Sequence, residues 1–280
     1  MSNETANTSF RNHRPTKRLG QNFLKDAGVI KRIIESFSPQ AGETVIEVGP
    51  GKGALTGELV DSGARVIAIE FDRNLAPLLS ERFADRDNFR MLQADALETD
   101  SCSVIQPAQT ARLIANLPYN ISTAILQRLI TQRSCLEEMV LMLQKEVVER
   151  IQAPAGSSDR GYLSVLVEAY CETEKLFDVS PGSFQPRPKV WSTVVRLRFR
   201  SQLVAQVKNE ELLWSLVSAG FMQKRKTIFN NLRNATGKLQ EVIKQNGGAS
   251  IVLCKAGVDL QRRAETLTLE EWGQIIRAME

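Results

Sequence analysis

Histidine is almost absent from the sequence, which has one, His13, among 280 residues. Multi-histidine metal sites need several imidazoles close together, so none is expected here. A Ser-His-Asp mechanism is also disfavoured, because His13 lies in a polar N-terminal stretch with the character of a solvated arm. We therefore predict no metal centre and look for chemistry that works without histidine.

Cysteine motifs are missing as well. The four cysteines, Cys102, Cys135, Cys171 and Cys254, are scattered and form no C-x-x-C pair. This pattern argues against a zinc ribbon or a disulfide framework and fits a reducing compartment. The polar N-terminus lacks the apolar region of a secretory signal, so a cytoplasmic location is expected.

Long hydrophobic runs are the third absence. No stretch approaches the roughly 18 apolar residues that a membrane-spanning helix requires, so no membrane partner is expected. The hydrophobic content of 42% and charged content of 24% are typical of globular proteins. The net charge of +4 points weakly to a polyanionic partner.

Strand and helix patterns alternate over the first two thirds of the chain. Short apolar strands are predicted at 44–48, 65–69, 89–93, 112–115 and 139–143, with helical segments between them. This alternation predicts an α/β fold with a Rossmann-like, doubly wound and mostly parallel sheet. Two later strands are predicted at 175–179 and 192–200, and the alternation of apolar and polar residues in the second is typical of an antiparallel strand.

The composition changes twice along the chain. Residues 1–18 form a basic arm that carries Arg11, Arg14, Lys17 and Arg18. Residues 19–204 contain the strand and helix alternation, and residues 205–280 have a purely helical pattern. We therefore predict a flexible arm, one α/β domain and a small C-terminal helical domain. The T-x-x-E sequence at 268–271 predicts a capping box at the start of the last helix.

A glycine-rich loop follows the first main strand. Gly49, Gly51 and Ala54 satisfy the dinucleotide fingerprint G-x-G-x-x-G/A, and Glu70 lies near the distance expected for a ribose-binding acid. S-adenosylmethionine is bound by a glycine loop in the same position. The loop alone therefore fits a nicotinamide enzyme and a methyltransferase equally well.

Three other features favour the methyl donor. Glu47 places a carboxylate directly before the loop, which suits a cationic ligand and opposes a pyrophosphate, although helix capping or a salt bridge would explain it equally well. Glu70, Asp95 and Asn116 end successive strands and could serve as ribose acid, adenine-edge acceptor and substrate grip. The third feature is the lack of a histidine suited to dehydrogenase chemistry.

The turn after the fourth strand carries the substrate hypothesis. Asn116 offers a side-chain carbonyl, Pro118 holds the Leu117 carbonyl in one direction, and Tyr119 offers a flat face. Two acceptors beside an aromatic plane suit the N6 amine of adenine, because accepting its hydrogens would localise the lone pair. The alternative is an ordinary turn, since asparagine and proline favour turns in all proteins.

Several longer motifs resemble the rRNA adenine N6-dimethyltransferases. They are GQNFL at 20–24, EVGPGKGALT at 47–56, NLPYNIST at 116–123, MLQKEV at 142–147, PGSFQPRPKV at 181–190 and QKRKTI at 223–228. The resemblance runs from about residue 16 to the end and is strongest to the KsgA-type, small-subunit enzymes. It implies a class I methyltransferase fold and transfer of methyl groups from S-adenosylmethionine to two adjacent adenosines in the 3′-terminal hairpin loop of 16S rRNA.

The resemblance also assigns residues. It implies that the cofactor is bound by Asn22, Leu24, Gly49, Glu70, Asp95 and Asn116. Asn116 and the Leu117 carbonyl would hold the target N6, and Tyr119 and Phe184 would enclose the base. The expected partner is 16S rRNA within an assembling 30S subunit, and the expected state is a monomer.

The basic residues Lys224, Arg225, Lys226 and Arg233 are expected to face RNA phosphate, although charge alone fits a solvated helix face equally well. Phe229 departs from the family pattern, because many relatives carry a basic residue there. Three alternatives stay open: an Erm-like methylase of large-subunit rRNA, a DNA adenine methylase, and an assembly checkpoint factor that acts mainly by docking.

Overall fold

The computed structural model describes residues 15, 19–203, 205 and 207–280. His13 and the four cations of the predicted basic arm lie outside the described residues. The described chain divides into two units. The first contains residues up to 148 together with 173–199, and the second contains 149–172 together with 200–280.

A seven-stranded sheet forms the centre of the first unit, in the order β4-β3-β2-β5-β6-β9-β7. Its strands are β2 (Thr44–Val48), β3 (Arg65–Glu70), β4 (Phe89–Gln93), β5 (Ala111–Asn116), β6 (Leu136–Gln144), β7 (Cys171–Val179) and β9 (Ser192–Phe199). Strands β4, β3, β2, β5 and β6 are mutually parallel. β9 is antiparallel to β6, as its alternating sequence predicted. The predicted α/β fold is confirmed.

Helices cover the sheet between its strands. They are α1 (Ala27–Phe37), α2 (Thr56–Asp61), α3 (Leu75–Arg82), α4 (Ser101–Val104), α5 (Ser122–Thr131) and α6 (Lys145–Ile151). All five residues of β2 are buried, as expected for a central strand covered on both faces. The chain crosses from β2 outward in both directions, to β3 and to β5, which creates a crevice at the carboxyl ends of these strands.

A two-stranded ladder was not predicted. β1 (Phe23–Leu24) pairs antiparallel with β8 (Phe184–Gln185). Beside it, Asp26 caps α1 by accepting hydrogen bonds from two backbone amides of the first turn, and it also accepts one from the Ser183 hydroxyl at 3.0 Å. The ladder therefore fastens the segment that precedes α1 to the loop that precedes β9.

The second unit is helical. Its helices are α7 (Tyr162–Tyr170), α8 (Glu210–Phe221), α9 (Ile228–Arg233), α10 (Gly237–Gln245), α11 (Ala249–Lys255) and α12 (Leu269–Arg277). The predicted capping box at the start of α12 is confirmed, because Thr268 Oγ1 accepts from the Glu271 amide at 3.2 Å and a Glu271 carboxylate oxygen accepts from the Thr268 amide at 2.8 Å. Trp272 is fully buried in this unit.

Residues 149–172 group with the C-terminal helices, whereas the sequence prediction had assigned them to the α/β domain. The reason is aromatic packing between α7 and α8. The Tyr170 and Trp214 rings lie 5.1 Å apart, and Trp214 Nε1 donates a 2.8 Å hydrogen bond to the Tyr170 hydroxyl. The position of these residues in the sequence does not predict that they belong to the second unit while the residues on both sides of them belong to the first.

One cysteine pair contradicts the expectation from the sequence. Cys102, in α4, is joined by a disulfide to Cys135, which directly precedes β6. The two residues are 33 positions apart, so no local motif announces the pair. The expectation that the cysteines form no disulfide is wrong for these two, while Cys171 and Cys254 are unpaired.

Within the described ranges, no helix combines the length and the apolar character needed to cross a bilayer.

Candidate active site

A cavity of about 420 Å³ opens at the carboxyl ends of β2, β3 and β5, in the crevice where the chain direction switches. Seven of the residues predicted from the sequence line it together: Asn22, Gly49, Glu70, Asp95, Asn116, Leu117 and Tyr119. They come from five separate places in the sequence, and the parallel sheet brings them to one edge.

The glycine loop supplies one wall of the cavity. Gly49 and Gly51 have φ angles of 68° and 60°, in the left-handed region that side chains disfavour. A Cβ atom on Gly51 would lie 3.0 Å from the Phe23 ring. Glycine at this position therefore permits both the turn and the close approach of Phe23.

Glu70 ends β3 with a carboxylate whose two oxygens are both engaged. One oxygen accepts the Gly51 amide at 3.0 Å and the other accepts the Asp72 amide at 2.9 Å. Asp72 in turn accepts a 2.7 Å hydrogen bond from the Gln21 side chain. Burial raises the pKa of Glu70. These contacts hold the carboxylate at the cavity wall and connect it to the loop before β1.

Asn116, the last residue of β5, is oriented by a long-range contact. Its side-chain nitrogen donates a 3.2 Å hydrogen bond to the backbone carbonyl of Asn22. The Asn22 side chain donates to the Gly20 carbonyl at 3.1 Å, which shapes the segment that carries this acceptor. Because the contact uses the nitrogen end of the Asn116 carboxamide, the oxygen end is left to accept from a ligand.

The turn after Asn116 is held by the neighbouring strand. The Leu117 amide donates to the Met142 carbonyl at 3.2 Å, and the Leu117 side chain is buried. Tyr119 is fixed at its far end, because its hydroxyl shares a 2.7 Å hydrogen bond with Ser192 Oγ at the start of β9. Burial raises the pKa of the Tyr119 hydroxyl. The Tyr119 ring is therefore a positioned aromatic wall of the cavity.

Asp95 lies in the loop after β4. Its side chain accepts the Leu97 amide at 2.9 Å, and its own carbonyl accepts from the Thr99 hydroxyl at 2.7 Å. The loop folds back on itself around these bonds, which brings Ala96 and Leu97 to the cavity beside the carboxylate. A carboxylate next to apolar residues is suited to a flat, partly polar ring.

Glu47 lies next to the cavity and is buried within β2. Thr56 Oγ1, in the first residue of α2, donates a 2.7 Å hydrogen bond to its carboxylate. Burial, helped by the negative charge of Glu70 and opposed by the hydrogen bond from Thr56, raises the pKa of Glu47 to about 8. Glu47 lines a small recess of about 30 Å³ together with Gly49 and Asn116. The hydrogen bond from the first residue of α2 agrees with a structural role at the start of that helix. The position at the recess agrees with a role in binding a cationic ligand.

Two predicted residues lie away from the main cavity. Leu24 is buried in the β1–β8 ladder and borders the small recess. Phe184, its ladder partner, is 2% exposed and belongs to the hydrophobic core under the sheet. In this conformation Tyr119 lines the cavity and the Phe184 ring does not.

The predicted phosphate-binding residues all lie in the helical unit. Lys224, Arg225 and Lys226 are exposed in the turn between α8 and α9, and Lys224 Nζ donates to the Ser158 carbonyl at 2.7 Å. Arg233, at the end of α9, is also exposed, with its guanidinium 5.5 Å from the centre of the Phe229 ring. Phe229 therefore packs under a cation of its own helix.

Phe71 was missed by the sequence reasoning. It lines the cavity directly after Glu70, yet 52% of its surface is exposed. An aromatic residue that follows the ribose acid at the open end of a strand could have signalled a ring-binding wall, but hydrophobic residues at strand ends are usually read as core. Gln21, which also borders the cavity, gave no signal of its own because its role depends on Asp72.

Comparison with known proteins gives consistent matches over nearly the whole chain. The family model described as Ribosomal RNA adenine dimethylase matches residues 12–275. A ribosomal RNA small subunit methyltransferase A from Pseudomonas putida is 44% identical over 257 residues, which cover 92% of this chain and 92% of that protein. The protein of the same name from Saccharophagus degradans is 42% identical over 261 residues, covering 93% and 92%.

Solved structures agree with these matches. A dimethyladenosine transferase from Plasmodium falciparum is similar with a TM-score of 0.75 at 26% identity, over 90% of this chain and 95% of that one. The 23S rRNA methyltransferase ErmE is similar with a TM-score of 0.64 at 26% identity, over 92% and 99%.

Proposed function

The chain belongs to the ribosomal RNA adenine dimethylase family and is an rRNA adenine dimethyltransferase, and we propose that it modifies N6 of two adjacent adenosines in the 3′-terminal hairpin loop of 16S rRNA. We further propose S-adenosylmethionine as its methyl donor, the assembling 30S subunit as its partner, and a monomer in the cytoplasm as its working state. The observation that carries the proposal is the Asn116 carboxamide, which is anchored at its nitrogen and faces the cavity.

The residues around the cavity fit this donor. Glu47 and Glu70 are buried carboxyl groups at or beside the wall, and buried acids favour a cationic ligand that restores their charge. Glu70 would accept hydrogen bonds from the ribose hydroxyls, and Asp95 would accept one from the adenine amine. Gly49, which has no side chain, would let the ligand approach the backbone closely. When bound, S-adenosylmethionine would supply an electrophilic methyl group on a sulfonium centre.

Asn116 and Leu117 would act on the nucleophile. The N6 nitrogen of adenine is weakly nucleophilic because its lone pair is delocalised into the ring. Two carbonyl oxygens that accept its two hydrogens would localise this lone pair and hold it in one direction. Orientation of this kind supplies a large part of the acceleration in reactions between two bound partners.

Tyr119 would hold the face of the target base. The adenosine must leave its stack to enter the cavity, which costs a few kcal/mol, and stacking on an aromatic ring returns about 1 to 3 kcal/mol per base. The hydrogen bond from Tyr119 to Ser192 keeps the ring in place before the base arrives. Phe184 would become the second wall only if the β1–β8 region moved to release it from the core.

The reaction needs no histidine. Methylated N6 carries a positive charge and is strongly acidic, so it can pass its proton to water or to a nearby acceptor oxygen. Asn116 and Leu117, which accept the N6 hydrogens, are the groups closest to that proton in this proposal. The sequence, with its one histidine at position 13, is compatible with such chemistry.

Transfer of a radiolabelled methyl group to 30S subunits that lack the modification tests the proposal. We expect two adjacent dimethyladenosines near the 3′ end of 16S rRNA, and loss of transfer in Asn116→Ala. The alternative substrates in this assay are 50S subunits and adenine-containing DNA. Labelling of either in place of 30S subunits would contradict the proposed substrate, and tight docking without any transfer would favour a checkpoint factor.

A further inference from the structure

Trp191 is a large aromatic side chain in an unusual position. It directly precedes β9, and 51% of its surface is exposed, whereas Trp272 is fully buried. The next residue, Ser192, holds the hydroxyl of Tyr119. The Trp191 carbonyl accepts the Lys145 amide at 2.9 Å, so its backbone is tied to the end of β6. The exposed indole therefore belongs to a residue whose backbone is hydrogen-bonded, at the end of the sheet where the cavity opens.

The charged residues of the loop that ends with Trp191 are all positive, while the exposed acid Glu146 follows Lys145 in the chain. In the loop 186–191, which Trp191 ends, the charged residues are Arg187 and Lys189, and both are exposed. Lys145 forms an ion pair with Asp178 at 3.2 Å. Lys175 binds the same carboxylate at 3.0 Å, so one acid faces two cations. An exposed aromatic ring among cations has the composition of a single-stranded nucleic-acid surface. Tryptophan and arginine are also common at protein interfaces, but lysine is depleted there, so Lys189 favours a nucleic-acid partner.

We propose that Trp191, with Arg187 and Lys189, forms a second base-stacking surface that receives an unpaired nucleotide next to the target adenosine. The inference rests on the proposed function. When the target base leaves its stack, the neighbouring base loses a stacking partner. Trp191 replaces that partner, since an indole face stacks on any base, and the two cations face the adjoining phosphates.

The test compares Trp191→Ala with Trp191→Phe, which keeps a stacking ring. Ile251→Ala is the matched control, because Ile251 is 47% exposed and lies in α11 of the helical unit. The first readout is the affinity for a fluorescein-labelled, single-stranded RNA of about ten nucleotides with two adjacent adenosines, a length within the range such surfaces bind. The second is the KM for 30S subunits that lack the modification. Calorimetry with S-adenosylmethionine reports whether the fold and the cavity are intact.

Trp191→Ala should bind the RNA about 5- to 150-fold more weakly, which is the range that loss of one stacked base gives. Its KM for 30S subunits should rise while its affinity for S-adenosylmethionine stays unchanged. Trp191→Phe should retain most of the RNA affinity, and Ile251→Ala should match the unmodified protein.

RNA affinity of Trp191→Ala within twofold of the unmodified protein would overturn the proposal. Weaker docking on 30S subunits with unchanged RNA affinity would also overturn it, because the ring would then contact a ribosomal protein. Failure of the proposed function would give a different result from failure of the Trp191 proposal. In that case the unmodified protein transfers no methyl group to 30S subunits, whatever the variants do with RNA.

Discussion

The side-chain nitrogen of Asn116 donates a hydrogen bond to the backbone carbonyl of Asn22, 3.2 Å away and 94 positions earlier in the sequence. This contact joins the segment that precedes β1 to the turn that follows β5. It also decides which end of the carboxamide is free to meet a ligand. One hydrogen bond therefore couples the segment expected to contact the cofactor with the residue expected to hold the substrate amine.

Glu70→Gln should weaken binding of S-adenosylmethionine by about 10- to 150-fold, because a hydrogen bond to a charged group contributes about 1.5 to 3 kcal/mol. Calorimetric titration measures the change. Glu58→Gln, an exposed acid on α2, is the control and should bind normally. Unchanged affinity in Glu70→Gln, with an intact circular dichroism spectrum, would refute the assignment of Glu70 to the ribose.

Glu47→Gln should stabilise the ligand-free protein at high pH. The pKa of Glu47 is about 8 in the folded protein and near its ordinary value of 4.5 in the unfolded chain. The folded protein therefore loses stability through this group as the pH rises from about 4.5 to about 8, by a few kcal/mol in all. Glutamine does not titrate, and its carbonyl can still accept from Thr56.

Thermal unfolding at pH 5 and pH 8 measures this effect. The Tm of Glu47→Gln minus that of the unmodified protein should be larger at pH 8, and the difference should level off above that value. Glu58→Gln should show the same small difference at both pH values. A Glu47→Gln difference that does not change with pH would show that Glu47 titrates normally.

Cys102→Ser should lower the free energy of unfolding by about 2 to 4 kcal/mol, the usual effect of removing a disulfide that closes a loop of this size. Its partner, Cys135, lies 33 residues away. Chemical denaturation without reductant measures the loss, and Cys254→Ser is the control because this cysteine is exposed and unpaired. Equal stability of both variants would mean that the thiols are not joined in solution.

Replacing Lys224, Arg225 and Lys226 by glutamine should weaken docking on 30S subunits and flatten its dependence on salt. Each lost phosphate contact should reduce the slope of log K against log salt by about 0.7 to 0.9. Filter binding at several salt concentrations measures the slope. Lys244→Gln, an exposed cation on α10, is the control. Loss of turnover with an unchanged slope would assign these residues to another role.

The sequence was most informative where local pattern and chemistry coincide. Asn116 and Glu70 could be assigned to one site because both end parallel strands, and all parallel strands end at the same edge. The alternation of apolar and polar residues predicted the antiparallel β9, and the T-x-x-E spacing predicted the cap at Thr268.

Features that depend on distant pairing could not be predicted. The β1–β8 ladder joins two-residue strands from opposite ends of the first unit, and the Cys102–Cys135 bond joins positions with no shared motif. Phe184 illustrates a further limit. The family resemblance implied that it encloses the target base opposite Tyr119, but the ladder pairing with Leu24 places its ring in the core.

The most direct test of the account is a crystal structure of the protein with S-adenosylhomocysteine and an RNA hairpin that carries the target adenosine. The distances from the adenine N6 to Asn116 Oδ1 and to the Leu117 carbonyl oxygen are the quantities to measure. We predict both to be hydrogen-bonding distances, about 2.7 to 3.2 Å. An N6 atom that lies in the cavity but contacts neither oxygen would contradict the proposal that Asn116 and Leu117 hold the substrate amine.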